Sequence, residues 1–205
     1  MGFAHKINLL FTAWNPSEIL PQKDPAWIVL GRSNVGKSSL LNALTHPTQV
    51  FKVGARPGLT QGIICAEIWL GTSEKSKFEL LDTPGFGFTK KPAAGDRWVE
   101  LLTELKNRGP KEQRRWLWLV HADRDPDEMD FQLADWLQGE DFHLLLTKAD
   151  RFKTKERESL MLGWLKKFRG LQPDKVLWVS GKSGEGTDVL GKLAKQFVKA
   201  CREGA

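Results

Sequence analysis

The residues best suited to chemistry form a glycine- and lysine-containing segment, G-R-S-N-V-G-K-S, between two predicted elements. It fits the pattern G-x-x-x-x-G-K-[ST], in which a loop connects a strand to a helix. Gly31 and Gly36 allow turns that a side chain would block, so backbone N–H groups can surround phosphate oxygens. Lys37 can place its charge on the β- and γ-phosphates and assist catalysis there, and the Ser38 hydroxyl can bind Mg²⁺. The segment predicts a nucleoside triphosphate site whose phosphate-binding residues are Gly31, Arg32, Ser33, Asn34, Val35, Gly36, Lys37 and Ser38.

Two later segments contain groups that could respond to the third phosphate. The motif at the end of the third apolar run, predicted as the second switch, consists of Asp82, Thr83, Pro84 and Gly85. Asp82 would hold Mg²⁺ through water, and the N–H of Gly85 would contact the γ-phosphate. In the polar stretch before that run, the hydroxyl of Thr60 could complete the magnesium shell and order the stretch when the γ-phosphate is present. The residues assigned to this first switch are Gly58, Leu59, Thr60, Gln61 and Gly62.

A motif at the end of the fifth apolar run indicates which base is bound. Its residues are Thr147, Lys148, Ala149 and Asp150. The Asp150 carboxylate can accept hydrogen bonds from the N1–H and the N2 amine of guanine, whereas adenine presents an acceptor at N1. The aliphatic stem of Lys148 can lie along the base. Backbone N–H groups at a later strand end can reach the guanine O6, and the residues assigned there are Val179, Ser180 and Gly181.

The elements that must position these motifs alternate between apolar runs and amphipathic stretches. The predicted strands are 26–30, 63–70, 78–81, 116–120, 142–146 and 175–179. The predicted helices are 37–44, 96–107, 128–137, 155–168 and 187–202. Continuous apolar strands joined by helices indicate a mostly parallel sheet covered on both faces. We therefore predict a three-layer α/β fold whose six-stranded sheet has one antiparallel edge pair, formed by the second and third runs. Residues 1–25 are predicted to be an N-terminal leader packed on a single domain of residues 26–205.

Composition and charge narrow the remaining classes of protein. The 205 residues include 31 Lys and Arg against 25 Asp and Glu, giving a net charge of +6. That excess permits a polyanionic partner without demonstrating one. Cys65 and Cys201 are far apart and in no paired motif, which argues against a disulfide scaffold or a zinc knuckle. The apolar runs are much shorter than a membrane span, so we expect a cytoplasmic protein.

The sequences of these motifs resemble those of a family in the TRAFAC class of P-loop GTPases. The segments similar to the EngB (YihA-like) family of ribosome-assembly GTPases are 31–44, 57–61, 82–88 and 147–150. The resemblance implies a small-GTPase form of the P-loop NTPase fold, Mg²⁺-dependent binding of GTP and GDP, and slow GTP hydrolysis. It also implies association with the RNA and proteins of the large ribosomal subunit, and an indirect need for the protein in cell division and septation. We expect a monomer without a membrane partner.

Two positions bear on how GTP would be hydrolysed. Many GTPases carry a Gln directly after D-x-x-G that orients the attacking water, and Phe86 stands there in this chain. Hydrolysis should therefore be slow, or should need a partner or a cation to supply the missing group. Related potassium-activated GTPases place an Asn at the position of Asn34, where it helps to ligate K⁺. In this chain Asn34 either ligates K⁺ or only braces the loop.

Two other functions remain open from the sequence. One is a scaffold that binds GTP or GDP and RNA without significant turnover, and the other is a GTPase switch with a division or membrane client. Basic clusters could form a ribosomal-RNA footprint or merely a solvated surface. The clusters are Lys90–Lys91, Lys106–Arg115, Lys148–Arg157 and Lys166–Arg169.

Overall fold

The computed structural model describes residues 3–48, 50–51, 62–86 and 92–204 of the chain. The strands are β1 (Lys6–Ala13), β2 (Ala26–Gly31), β3 (Ile63–Trp69), β4 (Lys77–Asp82), β5 (Arg114–His121), β6 (Phe142–Thr147) and β7 (Val176–Trp178). The α-helices are α1 (Lys37–Leu44), α2 (Pro92–Asn107), α3 (Glu128–Trp136), α4 (Thr154–Lys167) and α5 (Thr187–Glu203). Within these ranges no helix combines the length and the apolar character needed to cross a membrane.

The described strands form one sheet in the order β1-β3-β4-β2-β5-β6-β7. Pairing is parallel from β4 through β2, β5 and β6 to β7, and antiparallel between β3 and β4. Helices cover both faces of the sheet. Alternate residues of each strand point to opposite faces, so one strand contributes side chains to both cores. On β2, for example, Ile28 and Leu30 belong to the core under α2, α3 and α4, whereas Trp27 and Val29 belong to the core under α1 and α5. The predicted α/β class and its three layers are confirmed.

The sheet differs from the prediction at its N-terminal edge. The sequence predicts six strands, but the described residues form seven, because Lys6–Ala13 of the predicted leader pairs antiparallel with β3. This strand has no clean alternation, and its register shifts between Leu9 and Phe11. A contact distant in sequence helps to hold it, since Asn8 Nδ2 donates to Glu67 Oε1 at 2.9 Å. Part of the predicted leader, Lys6–Ala13, is therefore a strand of the sheet itself.

The parallel strands bring the chemical motifs to one edge of the sheet. The phosphate loop follows β2, Asp82 ends β4, and Thr147 ends β6. The segment that begins at Val179 follows β7. Ligands of open α/β sheets bind outside the carboxyl ends of the strands, which is where these four segments lie.

A buried ion pair ties the N-terminal segment and α2 to this sheet. Arg108 Nη2 lies 2.6 Å from Glu79 Oε2 of β4, and both side chains are almost completely buried. The N–H of Lys23 donates to the other Glu79 oxygen at 3.0 Å, and Arg108 Nε donates to the carbonyl of Leu20. The pair therefore joins three parts of the chain that are distant in sequence.

We predict that Arg108→Met will lower the free energy of unfolding by about 3–5 kcal/mol, because it leaves Glu79 buried and unpaired. The double variant Arg108→Met, Glu79→Met should recover much of that loss, since it also removes the stranded charge. Urea unfolding followed by circular dichroism measures both. As a control, Lys199→Met removes an exposed contact of 3.7 Å with Glu203 and should change stability little. A loss in Arg108→Met no larger than that of the control would contradict the prediction.

Candidate nucleotide-binding site

The phosphate loop has a backbone that requires glycine at its two ends. Gly31 has a φ of +152° and Gly36 a φ of +107°. A Cβ on Gly31 would also lie 2.7 Å from the carbonyl oxygen of Leu119 on β5. Between them, Asn34 adopts the left-handed conformation with a φ of +62°, which asparagine tolerates better than most residues. Gly36 precedes the first turn of α1, so the N–H groups of that turn face the loop.

Lys37 is held over the loop with little exposure to solvent. Its Nζ donates to the carbonyl oxygens of Gly31 at 2.9 Å and of Arg32 at 3.1 Å, and the residue is 6% exposed. Burial lowers the pKa of Lys37 to about 8, although the nearby charge of Asp82 opposes this. A phosphate group in the loop would favour the protonated amine and raise that pKa again. The amine is therefore placed where a phosphate would most stabilise its charge.

Asp82 and Ser38 form a set of oxygen donors at the end of β4. Ser38 Oγ donates to Asp82 Oδ2 at 2.8 Å. The other oxygen, Oδ1, is buried without a hydrogen-bond partner among the described residues. Burial raises the pKa of Asp82, while Lys37 and the Ser38 hydrogen bond act in the opposite direction. A buried oxygen without a partner is costly, and a carboxylate with a hydroxyl suits Mg²⁺, so these two residues fit that ion.

The D-T-P-G segment lies directly against the phosphate loop. The N–H of Ser33 donates to the Phe86 carbonyl at 3.2 Å, and the N–H of Phe86 donates to the Gly31 carbonyl at 3.4 Å. A Cβ on Gly85 would lie 2.6 Å from the Cα of Ser33, so this approach requires glycine. Thr83 Oγ1 donates to the carbonyl of Val29 on β2 at 2.6 Å. The start of the predicted second switch is thus packed on the predicted phosphate site.

Phe86, which stands where many GTPases have Gln, is buried. Its ring centroid lies 5.1 Å from that of Trp98, whose Nε1 donates to the Pro84 carbonyl at 3.1 Å. The Arg32 guanidinium lies 5.6 Å from the Phe86 ring and pairs with Asp127, the residue that caps α3. The ring provides no donor or acceptor that could orient a water molecule.

Most of the predicted first switch, Gly58, Leu59, Thr60 and Gln61, lies outside the described residues. The candidate magnesium ligand Thr60 is among these. Gly62 is described and directly precedes β3. A Cβ on Gly62 would lie 2.5 Å from the carbonyl oxygen of Ala13, so this glycine packs against β1.

The two predicted base-binding segments meet beside α1. Ser180 Oγ donates to Asp150 Oδ1 at 2.5 Å, and the N–H of Ala149 donates to the Val179 carbonyl at 3.1 Å. The Ser180 hydrogen bond lowers the pKa of Asp150, which keeps the carboxylate charged and able to accept hydrogen bonds. Lys148 has a left-handed φ of +59° at the turn after β6. This geometry fits an acceptor directed at the N1–H and N2 amine of guanine.

A cavity of about 240 Å³ joins the phosphate half of the site to the base half. Gly181 lines it and lies so close to α1 that a Cβ would be 2.6 Å from the carbonyl carbon of Ser39. Thr147 also lines the cavity, and its hydroxyl donates to the carbonyl of Val120 at 3.0 Å. Four lining residues that the sequence analysis did not assign to the site are Ser39, Leu40, Arg151 and Lys182. Each adjoins a recognised motif, and that adjacency is the only sequence signal for them.

We predict that Asp150→Asn will weaken GTP binding about 10- to 100-fold and make XTP the preferred nucleotide. The amide would lose an acceptor for the guanine N2 amine but could donate to the O2 of xanthine, and a charge-assisted hydrogen bond contributes about 1.5–3 kcal/mol. Competition against a fluorescent guanine nucleotide measures the preference. Asp188→Asn, at an exposed position of α5, is the matched control. An unchanged preference for GTP in Asp150→Asn would argue against this base site.

Comparisons with known proteins agree with this architecture. Residues 26–148 match the family model described as 50S ribosome-binding GTPase. The chain is 32% identical over 148 residues to the probable GTP-binding protein EngB of Thermoanaerobacter pseudethanolicus, covering 71% of this chain and 73% of that protein. A crystal structure of a probable GTP-binding protein EngB is similar at a TM-score of 0.61 and 24% identity, covering 85% of this chain and 99% of that one. A structure of Aquifex aeolicus Era has a TM-score of 0.70 at 22% identity, covering 84% of this chain and 56% of that one. The chain therefore belongs to the EngB family of GTP-binding proteins, within the 50S ribosome-binding GTPases.

Proposed function

We propose that this protein is a GTP-dependent switch in the assembly of the large ribosomal subunit, and that it hydrolyses GTP slowly. The observation that carries the nucleotide part is the single cavity shared by the phosphate loop and Asp150, whose carboxylate is oriented by Ser180. The ribosomal part is supported by the family and by the distribution of charge. Loss of the protein would impair cell division indirectly, because assembly of the large subunit would fail.

The residues of the site would divide the work of binding and switching. Ser38 and Asp82 would hold Mg²⁺, which when bound neutralises charge on the β- and γ-phosphates. Lys37 would exchange its contacts with two loop carbonyls for contacts with phosphate oxygens. The N–H of Gly85 would contact the γ-phosphate. Since Gly85 now packs on Ser33, that contact would require the second switch to rearrange, which would couple the third phosphate to the conformation of this segment.

A monovalent cation is the group that we propose compensates for Phe86. Asn34 is exposed on the phosphate loop, where its backbone adopts the left-handed conformation. A carboxamide oxygen there could ligate K⁺, whose charge would stabilise negative charge that develops during hydrolysis.

We predict that phosphate release from GTP will be at least about 10-fold faster in KCl than in NaCl of equal ionic strength, a change of about 1.4 kcal/mol in the barrier. Asn34→Ala should reduce this ratio toward one without abolishing GTP binding. Asn107→Ala, at the exposed end of α2, is a matched control for loss of a carboxamide away from the predicted phosphate site. Equal rates in both salts would exclude the potassium role, and no turnover in either salt or with ribosomal subunits would favour the scaffold function.

The surface that we propose for ribosomal RNA is centred on α4 and its ends. The cations of the 106–115 cluster are mostly engaged, because Arg108 pairs with Glu79, Arg114 with Glu140 and Arg115 with Asp141. By contrast, four exposed cations of α4 and its ends make no ion pair with another described residue. These are Lys153, Lys155, Lys166 and Arg169. Unpaired exposed cations gain most from contact with phosphates, so this surface is favoured over the 106–115 cluster. Lys90 and Lys91 lie outside the described residues.

Sedimentation with purified large subunits tests the ribosomal role. We expect several-fold more protein to sediment with a non-hydrolysable GTP analogue than with GDP, and the bound fraction to fall steeply as salt rises. Lys37→Ala should lose the response to the analogue. Replacing Lys155, Lys166 and Arg169 with Gln should weaken binding and flatten the salt dependence. Replacing Lys192, Lys195 and Lys199 of α5 with Gln is the control for losing three exposed charges. Binding that is independent of both the bound nucleotide and the salt concentration would contradict the ribosomal role, as would the absence of binding in every nucleotide state.

A further inference from the structure

We propose that Arg157 of α4 is a positioning residue that aligns the two base-binding segments and thereby sets discrimination among purine bases. This inference rests on the proposed guanine site. It concerns a side chain that belongs to none of the recognised motifs and does not line the cavity.

On one side, Arg157 holds the turn that carries Asp150. Its Nη2 donates to the carbonyl of Ala149 at 2.7 Å, and its Nε donates to the carbonyl of Phe152 at 3.0 Å. These carbonyls flank Asp150 and belong to the segment directly after β6. Two directed hydrogen bonds from one planar group restrict both the position and the tilt of that turn.

On the other side, the same guanidinium holds the loop that follows β7. Its Nη1 and Nη2 both donate to the carboxylate of Glu185, the second at 3.1 Å. The carbonyl of Glu185 accepts the N–H of Ser180 at 3.0 Å, and the Ser180 hydroxyl donates to Asp150. The contacts thus close a ring that runs from Arg157 through Glu185, Ser180, Asp150 and Ala149 back to Arg157.

This arrangement differs from an ordinary surface ion pair. The Arg157 side chain is 24% exposed, and its guanidinium lies 5.6 Å from the ring centroid of Trp178 on β7. By comparison, Lys167 makes one contact with an Asp125 side chain that is 92% exposed. A lysine at position 157 could not reproduce the fork of parallel donors that reaches three partners at once.

The chemical consequence concerns the number of hydrogen bonds that Asp150 can accept together. Guanine offers both N1–H and an N2 amine, whereas hypoxanthine offers only N1–H. Accepting both at once demands a fixed carboxylate, and the ring of contacts supplies that restriction. If Arg157 is lost, the hydrogen bond from the guanine N2 amine to Asp150 should weaken more than the bond from N1–H. Affinity for GDP should therefore fall more than affinity for IDP.

The test compares the dissociation constants of GDP, IDP and Mg²⁺-tripolyphosphate for the full-length protein and its variants. We expect Arg157→Ala to weaken GDP binding about 10-fold and IDP binding about threefold or less, with tripolyphosphate binding unchanged. Arg157→Lys and Glu185→Gln should shift the GDP-to-IDP ratio in the same direction by a smaller factor. Glu158→Ala, at an exposed neighbouring position on α4, is the matched control.

A wild-type GDP-to-IDP ratio in folded Arg157→Ala would overturn the proposal, as would equal weakening of all three ligands. Urea unfolding midpoints establish whether each variant is folded. If Arg157→Ala does not fold, a wild-type ratio in both Arg157→Lys and Glu185→Gln overturns it instead. A wild-type protein that binds ADP as well as GDP would refute the guanine site itself, a result distinct from failure of the Arg157 role.

Discussion

The buried charge of Asp82 is the constraint on which the phosphate half of the site depends. A carboxylate removed from water at the end of β4 must find compensation, and it does so in Ser38 and in the nearby amine of Lys37. Burial disfavours the charged forms of both Asp82 and Lys37, whereas their attraction favours them. These interactions hold the start of α1 at the end of β4. Asp82 Oδ1 remains without a hydrogen-bond partner among the described residues.

Helix α1 connects this phosphate half to the base half. Its first turn closes the phosphate loop, and within the same turn the backbone of Ser39 lies close enough to Gly181 to exclude a side chain there. The base segments are then aligned with each other by hydrogen bonds that converge on Ser180 and Arg157. Arginines recur at such junctions because a planar fork can join carbonyls and carboxylates of separate segments. Arg32 and Arg108 act similarly toward α3 and the N-terminal segment.

The elements that could be predicted are those whose own pattern of polar and apolar residues shows which of their faces are buried. The runs that became β2 and β5 are continuously apolar, and the run that became β6 is apolar except for the buried His143, because both faces of these strands are buried. The last helix has one apolar face because one face is covered. Strand β1 could not be found in this way. Its residues are mixed in polarity, and its pairing depends on β3, which is distant in sequence. The base motif and phosphate loop were identifiable because their chemistry requires particular residue types at short spacing.

The sequence by itself determined which groups are available: a phosphate-loop motif, a carboxylate that we propose holds magnesium, a carboxylate suited to guanine, and an apolar ring instead of a water-orienting amide. The tertiary structure alone decided which of these groups meet and which oxygen atoms stay without partners. It also revealed the ring through Arg157 and Glu185, two residues that no motif marks. The physical reason is that residue type sets donor and acceptor chemistry locally, whereas burial and hydrogen-bond partners depend on segments brought together only by packing of the sheet.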